Sequence, residues 1–95
     1  MALEFQWDPA KAAANLRKHR VSFPEATTAF DDPLSITIAD PDHSTREDRY
    51  LLLGRLRGGR LVVVAHADRG ADIRIISARP ADRHERRAYE EAQPN

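Results

Sequence analysis

The second half of the chain is a succession of short strand-like runs, and this pattern limits the fold more than any other feature of the sequence. Runs of β-branched and other aliphatic residues alternate with turns that contain glycine, at Arg57-Gly58-Gly59 and at Asp68-Arg69-Gly70-Ala71. Such a pattern is typical of an antiparallel meander. Because residues 61–65 are almost continuously apolar, we expect a central strand there that is covered on at least one face. The predicted strands cover residues 35–38, 49–54, 60–66 and 72–79.

Helix signals precede these strands. Residues 9–19 begin with a proline, follow a capping Asp8 and consist largely of strong helix formers. Ser22 and Glu25 have the spacing of a capping box, which predicts that a second helix starts there. That helix should end before Pro33, because the residue before a proline is disfavoured in the helical region.

A second capping-box pattern, Asp82 with Glu85, follows the last strand and predicts a short terminal helix that ends near Glu91. Residues 5–7 could add a short strand at one edge of the sheet. The predicted architecture is therefore α+β, with two N-terminal helices, a four-stranded antiparallel sheet and a C-terminal helix. At 95 residues the chain is the size of one domain, which we expect to cover residues 1–95.

Charge is balanced overall but not along the chain. Residues 1–45 carry four Lys or Arg against seven Asp or Glu, whereas residues 46–95 carry eleven against eight. Thirteen of the fifteen cations are arginine, whose planar guanidinium suits bidentate contacts with phosphate. An arginine-rich solvated surface explains the same composition, so charge alone does not identify a nucleic-acid-binding protein.

Several classes of protein are disfavoured by what the sequence lacks. Without cysteine there is no disulfide framework, thiolate metal site or cysteine nucleophile. No apolar run approaches the roughly 18 residues of a membrane span, and the first residues do not resemble a secretory signal. We therefore expect a cytoplasmic protein that makes no contact with a membrane.

The last predicted strand carries an unusual arginine. Arg74 lies between isoleucines, and in such a strand it must reach solvent, an acidic partner or a ligand. An ion pair with a neighbour in the sheet is an equally good interpretation. Strict alternation divides the strand into two faces, with Ile73, Ile75, Ser77 and Arg79 on one and Arg74, Ile76 and Ala78 on the other.

Residues able to support RNA cleavage without a metal follow this strand closely. Such cleavage needs a base for the ribose 2′-hydroxyl, cations for the charge that develops on phosphate, and an acid for the leaving oxygen. Side chains of these types are concentrated where the last strand meets the last helix, at Arg79, Arg83, His84, Glu85 and Tyr89.

Ordinary structural roles are open to the same residues. Packing of its ring on the sheet is the better interpretation for Tyr89, and a helix cap is the better one for Glu85. Lys18 and His19 could act as a catalytic pair, or they could be cations that complement the dipole at the end of the first helix.

Two further groups of polar residues give little support for a functional site. Asp40, Asp42 and His43 are residues of metal-ligand type, but no second cluster supports them, and we expect no metal and no cofactor. His66 is best interpreted as a polar residue at the end of a strand. No phosphate-binding loop, dinucleotide motif or Ser/His/Asp arrangement occurs.

Many segments of the chain, over about residues 4–91, resemble the BrnT family in their order and spacing. In the N-terminal half they are Phe5-x-Trp7-Asp8-Pro9-x-Lys11, Asn15-Leu16-x-Lys18-His19, Val21-Ser22-Phe23-x-Glu25-Ala26, Phe30-Asp31-Asp32-Pro33 and Asp40-Pro41-Asp42-His43-Ser44. In the C-terminal half they are Arg49 with Gly54, Leu61-Val62-Val63-Val64, Ile73-Arg74-Ile75-Ile76-Ser77-Ala78-Arg79, Glu85-Arg86 and Tyr89-Glu90. The family usually has glycine after the Lys-His pair, where this chain has Arg20.

The resemblance implies a RelE-like fold and a ribonuclease toxin that cleaves mRNA, on or off the ribosome, and stops translation. It also implies a BrnA-type antitoxin partner, with DNA contacted only indirectly through that antitoxin. The candidate catalytic residues are Lys18, His19, Arg74, Arg79, Glu85 and Tyr89, with the general acid and base unassigned. Arg49, Arg83 and Arg86 are the candidate RNA-binding residues.

Two alternatives remain open from the sequence. One is a non-catalytic module that binds the antitoxin, a degenerate toxin that acts as corepressor. The other is a small structural domain with an arginine-rich sheet.

Overall fold

A five-stranded mixed sheet forms the framework of the protein in a computed structural model that describes residues 3–40 and 48–93. The strands are β1 (Glu4–Gln6), β2 (Ile36–Ala39), β3 (Arg49–Arg55), β4 (Leu61–Arg69) and β5 (Asp72–Pro80). The helices are α1 (Pro9–His19), α2 (Phe23–Ala26), a 3-10 helix (Thr27–Asp31) and α3 (Arg83–Glu91). The predicted α+β class and the three helical regions are confirmed.

The sheet has the order β1-β5-β4-β3-β2, and it corrects the predicted four-stranded antiparallel sheet. Strands β2 to β5 form the expected antiparallel meander. The N-terminal strand adds a fifth member and pairs in parallel with β5, with Glu4 opposite Asp72 and Gln6 opposite Arg74. Two parallel strands cannot be joined by a hairpin turn, and along the chain β1 and β5 are separated by the N-terminal helices and strands β2 to β4.

The predicted second helix is shorter than expected. After Ser22 and Glu25 form the capping box, the α-helix gives way to the 3-10 helix at Thr27. The hydroxyl groups of Thr27 and Thr28 donate hydrogen bonds to the carbonyls of Pro24 and Glu25, at 2.7 and 2.6 Å. Back-bonding of this kind competes with regular helical geometry and favours a tighter turn.

The hydrophobic core lies between one face of the sheet and the N-terminal helices. Phe23 of α2 is fully buried and makes an edge-to-face contact with Trp7 at 5.9 Å between ring centroids. The predicted central strand is confirmed, because β4 is buried on both faces from Leu61 to Val64. The core comprises Val21, Phe23, Ala26, Ala29, Leu52, Leu56, Val62, Val64, Ile73, Ile75 and Ala78.

A β-bulge in β5 changes which of its side chains share a face. His66 lies opposite Ile75 and Ala65 lies opposite Ser77, so Ile76 has no partner on β4. The extra residue reverses the alternation that follows it. The predicted division of the strand is therefore wrong beyond Ile75, because Arg79 shares its face with Arg74 and not with the buried isoleucines.

Asn15 joins α1 to the edge of β5 beyond the end of β1. Its amide nitrogen donates to the carbonyls of Val21 and Ala78 at 2.9 and 2.8 Å, and its amide oxygen accepts from the N–H of Ala78 at 3.0 Å. The side chain is buried, and it satisfies backbone groups that would otherwise be left unpaired. One side-chain amide thus replaces a neighbouring strand at this point.

Arg20 ends α1 in the left-handed region, with φ 60° and ψ 31°. Its N–H donates to the carbonyl of Leu16 at 3.0 Å, which is the geometry that glycine adopts at the end of a helix without strain. Its own carbonyl accepts a hydrogen bond from the Arg60 guanidinium at 2.8 Å, which helps to fix this turn.

We predict that Arg20→Gly stabilises the protein by about 1 kcal/mol, because a side chain in the left-handed region costs about 1–2 kcal/mol, partly offset by the greater freedom of glycine in the unfolded chain. Thermal unfolding should show a rise in Tm of about 4–8 °C. Arg20→Ala is the control, since it removes the guanidinium but keeps the Cβ atom. An equal gain in that variant would contradict the explanation from backbone strain.

Candidate functional site

The sheet face directed away from the core, called the outer face below, carries the candidate arginines of β3 and β5. Residues opposite each other on antiparallel strands point to the same side, so the register determines the members of this face. Across the sheet they form three ranks: Ile36, Leu53, Val63 and Arg79; Ile38, Leu51, Ala65 and Ser77; Arg49, Ala67 and Arg74. The outer face is therefore apolar towards β2, has small side chains in its middle, and carries arginines on β3 and β5.

Arg79 and Glu85 form the best-defined polar contact of this face. Two guanidinium nitrogens of Arg79 donate to the two carboxylate oxygens of Glu85, at 2.8 and 2.7 Å. Glu85 also accepts from the N–H of Asp82 at 2.9 Å, which completes the predicted capping box of α3. The arginine is thus held at the junction of the outer face and α3 by a carboxylate that is itself fixed.

The ion pair determines what each partner can do chemically. The hydrogen bonds from Arg79 lower the pKa of Glu85, and those to Glu85 raise the pKa of Arg79. A carboxylate with a lowered pKa is a weak base, so Glu85 is better suited to orient the guanidinium than to remove a proton. Because 40% of the Arg79 side chain remains exposed, an anion from solvent can still reach it.

An open apolar groove of about 260 Å³ lies between α3 and strands β2 to β4. His84 and Glu85 of α3 line it, and so does Val63, which is opposite Arg79 in the sheet. His84 was only one of several candidates near the end of β5 in the sequence. Its place in the groove with Glu85 follows from the way in which α3 packs on the sheet. The remaining lining residues are Ile36, Ile38, Leu51, Leu53 and Ala88.

Tyr89 faces the body of the protein and anchors α3. The residue is buried, its hydroxyl donates to the carboxylate of Asp32 at 2.6 Å, and the Arg55 guanidinium lies over its ring, 5.3 Å from the centroid. Burial, together with the hydrogen bond to Asp32, raises the pKa of Tyr89. Burial alone would raise the pKa of Asp32, but hydrogen bonds from Tyr89 and from the N–H groups of Arg55 and Leu34 lower it overall. These contacts support the structural interpretation of Tyr89.

We predict that Tyr89→Phe lowers the free energy of unfolding by about 1.5–3 kcal/mol, because it removes a hydrogen bond to an ionised carboxylate. Urea unfolding followed by circular dichroism measures this change. Tyr50→Phe is the matched control, since Tyr50 stacks on His66 and its hydroxyl makes no hydrogen bond with the residues that the structure describes. Equal losses in the two variants would contradict an anchoring role for the Tyr89 hydroxyl.

Lys18 and His19 lie at a different edge of the site. They line a shallow furrow of about 240 Å³ between α1 and the bulge of β5, together with Ile76 and Ser77. Ser77 also belongs to the middle rank of the outer face. The structure therefore brings the Lys-His pair to the edge of this face, on the β5 side, and away from the apolar groove.

The remaining predicted residues lie around the outer face. Arg74 is half-buried and forms no hydrogen bond or ion pair with residues 3–40 and 48–93. The alternative interpretation of Arg74, an ion pair with a sheet neighbour, is therefore not met in this part of the chain. Arg49 lies in the same rank on β3. Arg83 and Arg86 are exposed on α3.

His66 is a core residue rather than part of the site. It is buried, with its ring 4.9 Å from that of Phe30 and stacked on Tyr50. Burial lowers its pKa, although the carbonyl of Val64 near Nδ1 acts in the opposite direction. Among the residues described, no cluster of three or more His, Asp or Glu side chains could hold a metal ion. Asp40 is buried, and Asp42 and His43 lie outside the described residues.

We predict that the free energy of unfolding decreases as the pH falls below about 6.5, the ordinary pKa of histidine. The unfolded chain then takes up a proton on His66 that the folded chain excludes, which favours unfolding. His66→Phe should lose this part of the pH dependence, measured by urea unfolding at a series of pH values. His84→Gln, a change at an exposed histidine, should keep it. Unchanged pH dependence in His66→Phe would refute this explanation.

Comparison with known proteins identifies the class as a toxin of a type II toxin–antitoxin system. Residues 7–85 match the family described as the ribonuclease toxin, BrnT, of type II toxin–antitoxin system. The chain belongs to this BrnT family, as the sequence motifs predicted, and membership implies an antitoxin partner.

The crystal structure of the Brucella abortus ribonuclease toxin BrnT, at 1.1 Å resolution, has a similar fold. The TM-score is 0.64 with 21% sequence identity, over 86% of this chain and 100% of that chain. No curated protein sequence matches the chain. Within the described part of the chain, no helix has the length and apolar character needed to cross a membrane.

Proposed function

We propose that this protein is an endoribonuclease toxin that cleaves mRNA by metal-independent acid–base chemistry and thereby stops translation. It acts in the cytoplasm as a single BrnT-like domain over residues 1–95, and a BrnA-type antitoxin neutralises it. Membership of the BrnT family supports the activity. Arginines of the outer face and of α3 support RNA as the substrate.

The Arg79–Glu85 ion pair is the observation that carries this proposal. Cleavage by the neighbouring 2′-hydroxyl places extra negative charge on the scissile phosphate in the transition state. A permanently charged guanidinium, held in one plane by two hydrogen bonds to Glu85, is a preorganised partner for that charge. Arg74 on the same face and Arg83 and Arg86 on α3 supply further cations for the RNA backbone.

The contacts of these residues support one choice of the proton-transfer group. Glu85 is weakened as a base by Arg79, and the hydroxyl of Tyr89 is already bonded to Asp32. His84 lines the groove beside Glu85, and histidine is the side chain best suited to proton transfer near neutral pH. We therefore assign the proton transfer to His84, with Arg79 as the electrostatic catalyst and Glu85 as its positioning residue.

The antitoxin would neutralise such an enzyme by covering the outer face. Burying its arginines against acidic or helical segments removes the RNA site from solvent. Addition of the antitoxin to the purified protein should then abolish RNA cleavage. Cleavage at the full rate in the complex would contradict this arrangement.

A second candidate function rests on the same ion pair. Glu85 accepts hydrogen bonds from two nitrogens of the Arg79 guanidinium. A phosphate would therefore have to bind the guanidinium together with Glu85 or displace the Glu85 carboxylate. If it could do neither, the chain would be a non-catalytic module that binds the antitoxin and acts as corepressor. This function requires tight antitoxin binding without RNA cleavage.

We predict that Arg79→Ala lowers the rate of RNA cleavage by about 10²–10³-fold, the loss typical of removing one transition-state donor. The measurements are growth and the integrity of total mRNA after induced expression, and cleavage by purified antitoxin-free protein. Arg57→Ala is the charge-matched control, because Arg57 is exposed in the β3–β4 turn and lies 3.7 Å from an exposed Asp31. Arg57→Ala should keep wild-type activity.

Circular dichroism of each variant shows whether it folds. A folded wild-type protein that neither arrests growth nor cleaves RNA, yet binds the antitoxin, would support the non-catalytic module. Equal activities of wild type and folded Arg79→Ala would remove Arg79 from the site.

A further inference from the structure

The furrow between α1 and the bulge of β5 is lined by basic and small side chains. Lys11 and Lys18 are seven residues apart on α1, so they lie on the same side of the helix, about 10 Å apart along its axis. Ala14, Asn15 and His19 also line the furrow. No acidic side chain is among the described residues that line the furrow.

Lys11 has no structural role in the described part of the chain. Neither Lys11 nor Lys18 forms a salt bridge with a carboxylate in residues 3–40 and 48–93. Lys18 near the end of α1 complements the helix dipole, but Lys11 lies in the first turn, where a cation is unfavourable. An anionic ligand in the furrow would supply the negative charge that Lys11 lacks at this end of the helix.

The furrow continues from the outer face. Ser77 belongs to both, and it precedes Arg79 by two residues on the same side of β5, a distance of about 7 Å. The bulge at Ile76 and the end of β1 leave this stretch of the strand beside α1 rather than beside another strand. A linear polyanion on the outer face can therefore cross the edge of the sheet here without meeting a carboxylate among the residues that line the furrow.

We propose that the furrow binds the sugar–phosphate backbone of the RNA next to the nucleotide that is cleaved at Arg79. The proposal rests on the function proposed above and assigns Lys11, Lys18 and Ser77 to substrate binding. Lysine ammonium groups act as point charges towards phosphate, and the Ser77 hydroxyl can donate a further hydrogen bond. Lys18, and with it His19, then holds the substrate and does not take part in the chemical step.

RNA fits this furrow better than an acidic segment of the antitoxin does. The furrow opens directly onto the rank that contains Ser77 and is two residues from Arg79, so one continuous strand can occupy both. Among the described residues that line it, Ile76 and Ala14 are the apolar side chains, and the lysines are spaced along the helix. Protein interfaces depend instead on large buried apolar or aromatic anchors.

The test uses Lys11→Gln and Lys18→Gln, with Arg17→Gln as the control. Arg17 loses the same charge in the same turn of α1 as Lys18 but does not line the furrow. Binding of a fluorescein-labelled 2′-O-methyl RNA, which lacks the reactive hydroxyl, is measured by fluorescence anisotropy over a range of salt concentrations. The slope of log K against log salt should decrease by about 0.7 for each furrow lysine, the value for one contact with single-stranded nucleic acid.

Cleavage of unmodified RNA supplies the second readout. Lys11→Gln and Lys18→Gln should raise KM several-fold and leave kcat near the wild-type value, because they remove binding and not chemistry. Lys18→Arg should restore binding. Arg17→Gln should change neither the slope nor KM.

The outcomes separate this inference from the proposed function. The furrow proposal is wrong if wild type cleaves RNA but the salt slopes of both lysine variants are unchanged. It is also wrong if Arg17→Gln reduces the slope as much as they do. In both cases the ribonuclease proposal stands. Lysine-dependent slopes without cleavage support the furrow as an RNA site and overturn the ribonuclease. A loss of kcat in Lys18→Gln as large as that in Arg79→Ala overturns the binding role. Lysine variants that bind the antitoxin more weakly but bind RNA as wild type does overturn it too.

Discussion

The β-bulge at Ile76 is the constraint on which the arrangement of the outer face depends. One unpaired residue reverses the alternation of β5, so that Ile73 and Ile75 remain in the core while Ser77 and Arg79 turn to the opposite side. Without it, Arg79 would point into the apolar core, where an unpaired guanidinium costs several kcal/mol. The bulge thus brings the cation to the face where α3 can supply Glu85.

The same stretch of β5 fixes the N-terminal helix. Beyond the end of β1, the backbone of Ala78 pairs with the amide of Asn15, which also bonds the carbonyl of Val21 after the helix ends. Burial makes these bonds obligatory, so α1 has one position along the strand. This contact therefore also places Lys11 and Lys18 at the edge of the outer face, although neither lysine takes part in it.

Polar contacts largely determine how α3 sits on the sheet. Its first turn is held by Arg79 and Glu85 and its last turn by Tyr89, which bonds Asp32 and lies under the Arg55 guanidinium. The apolar side chains beneath the helix leave an open groove instead of closing around it. The Arg79–Glu85 pair therefore belongs both to the contacts that anchor α3 and to the candidate site. A ligand that competes for Arg79 also acts on the position of α3.

The sequence by itself determined the elements that local chemistry controls: the two capping boxes, the meander with its glycine turns, the central strand and, through its motifs, the BrnT family. Only the tertiary structure decided what depends on contacts between distant residues. These are the parallel pairing of β1 with β5, the bulge at Ile76, the burial of His66 and the pairing of Tyr89 with Asp32. Periodicity reports the average alternation of a strand, and one inserted residue, stabilised by partners far away in the chain, changes every side chain after it.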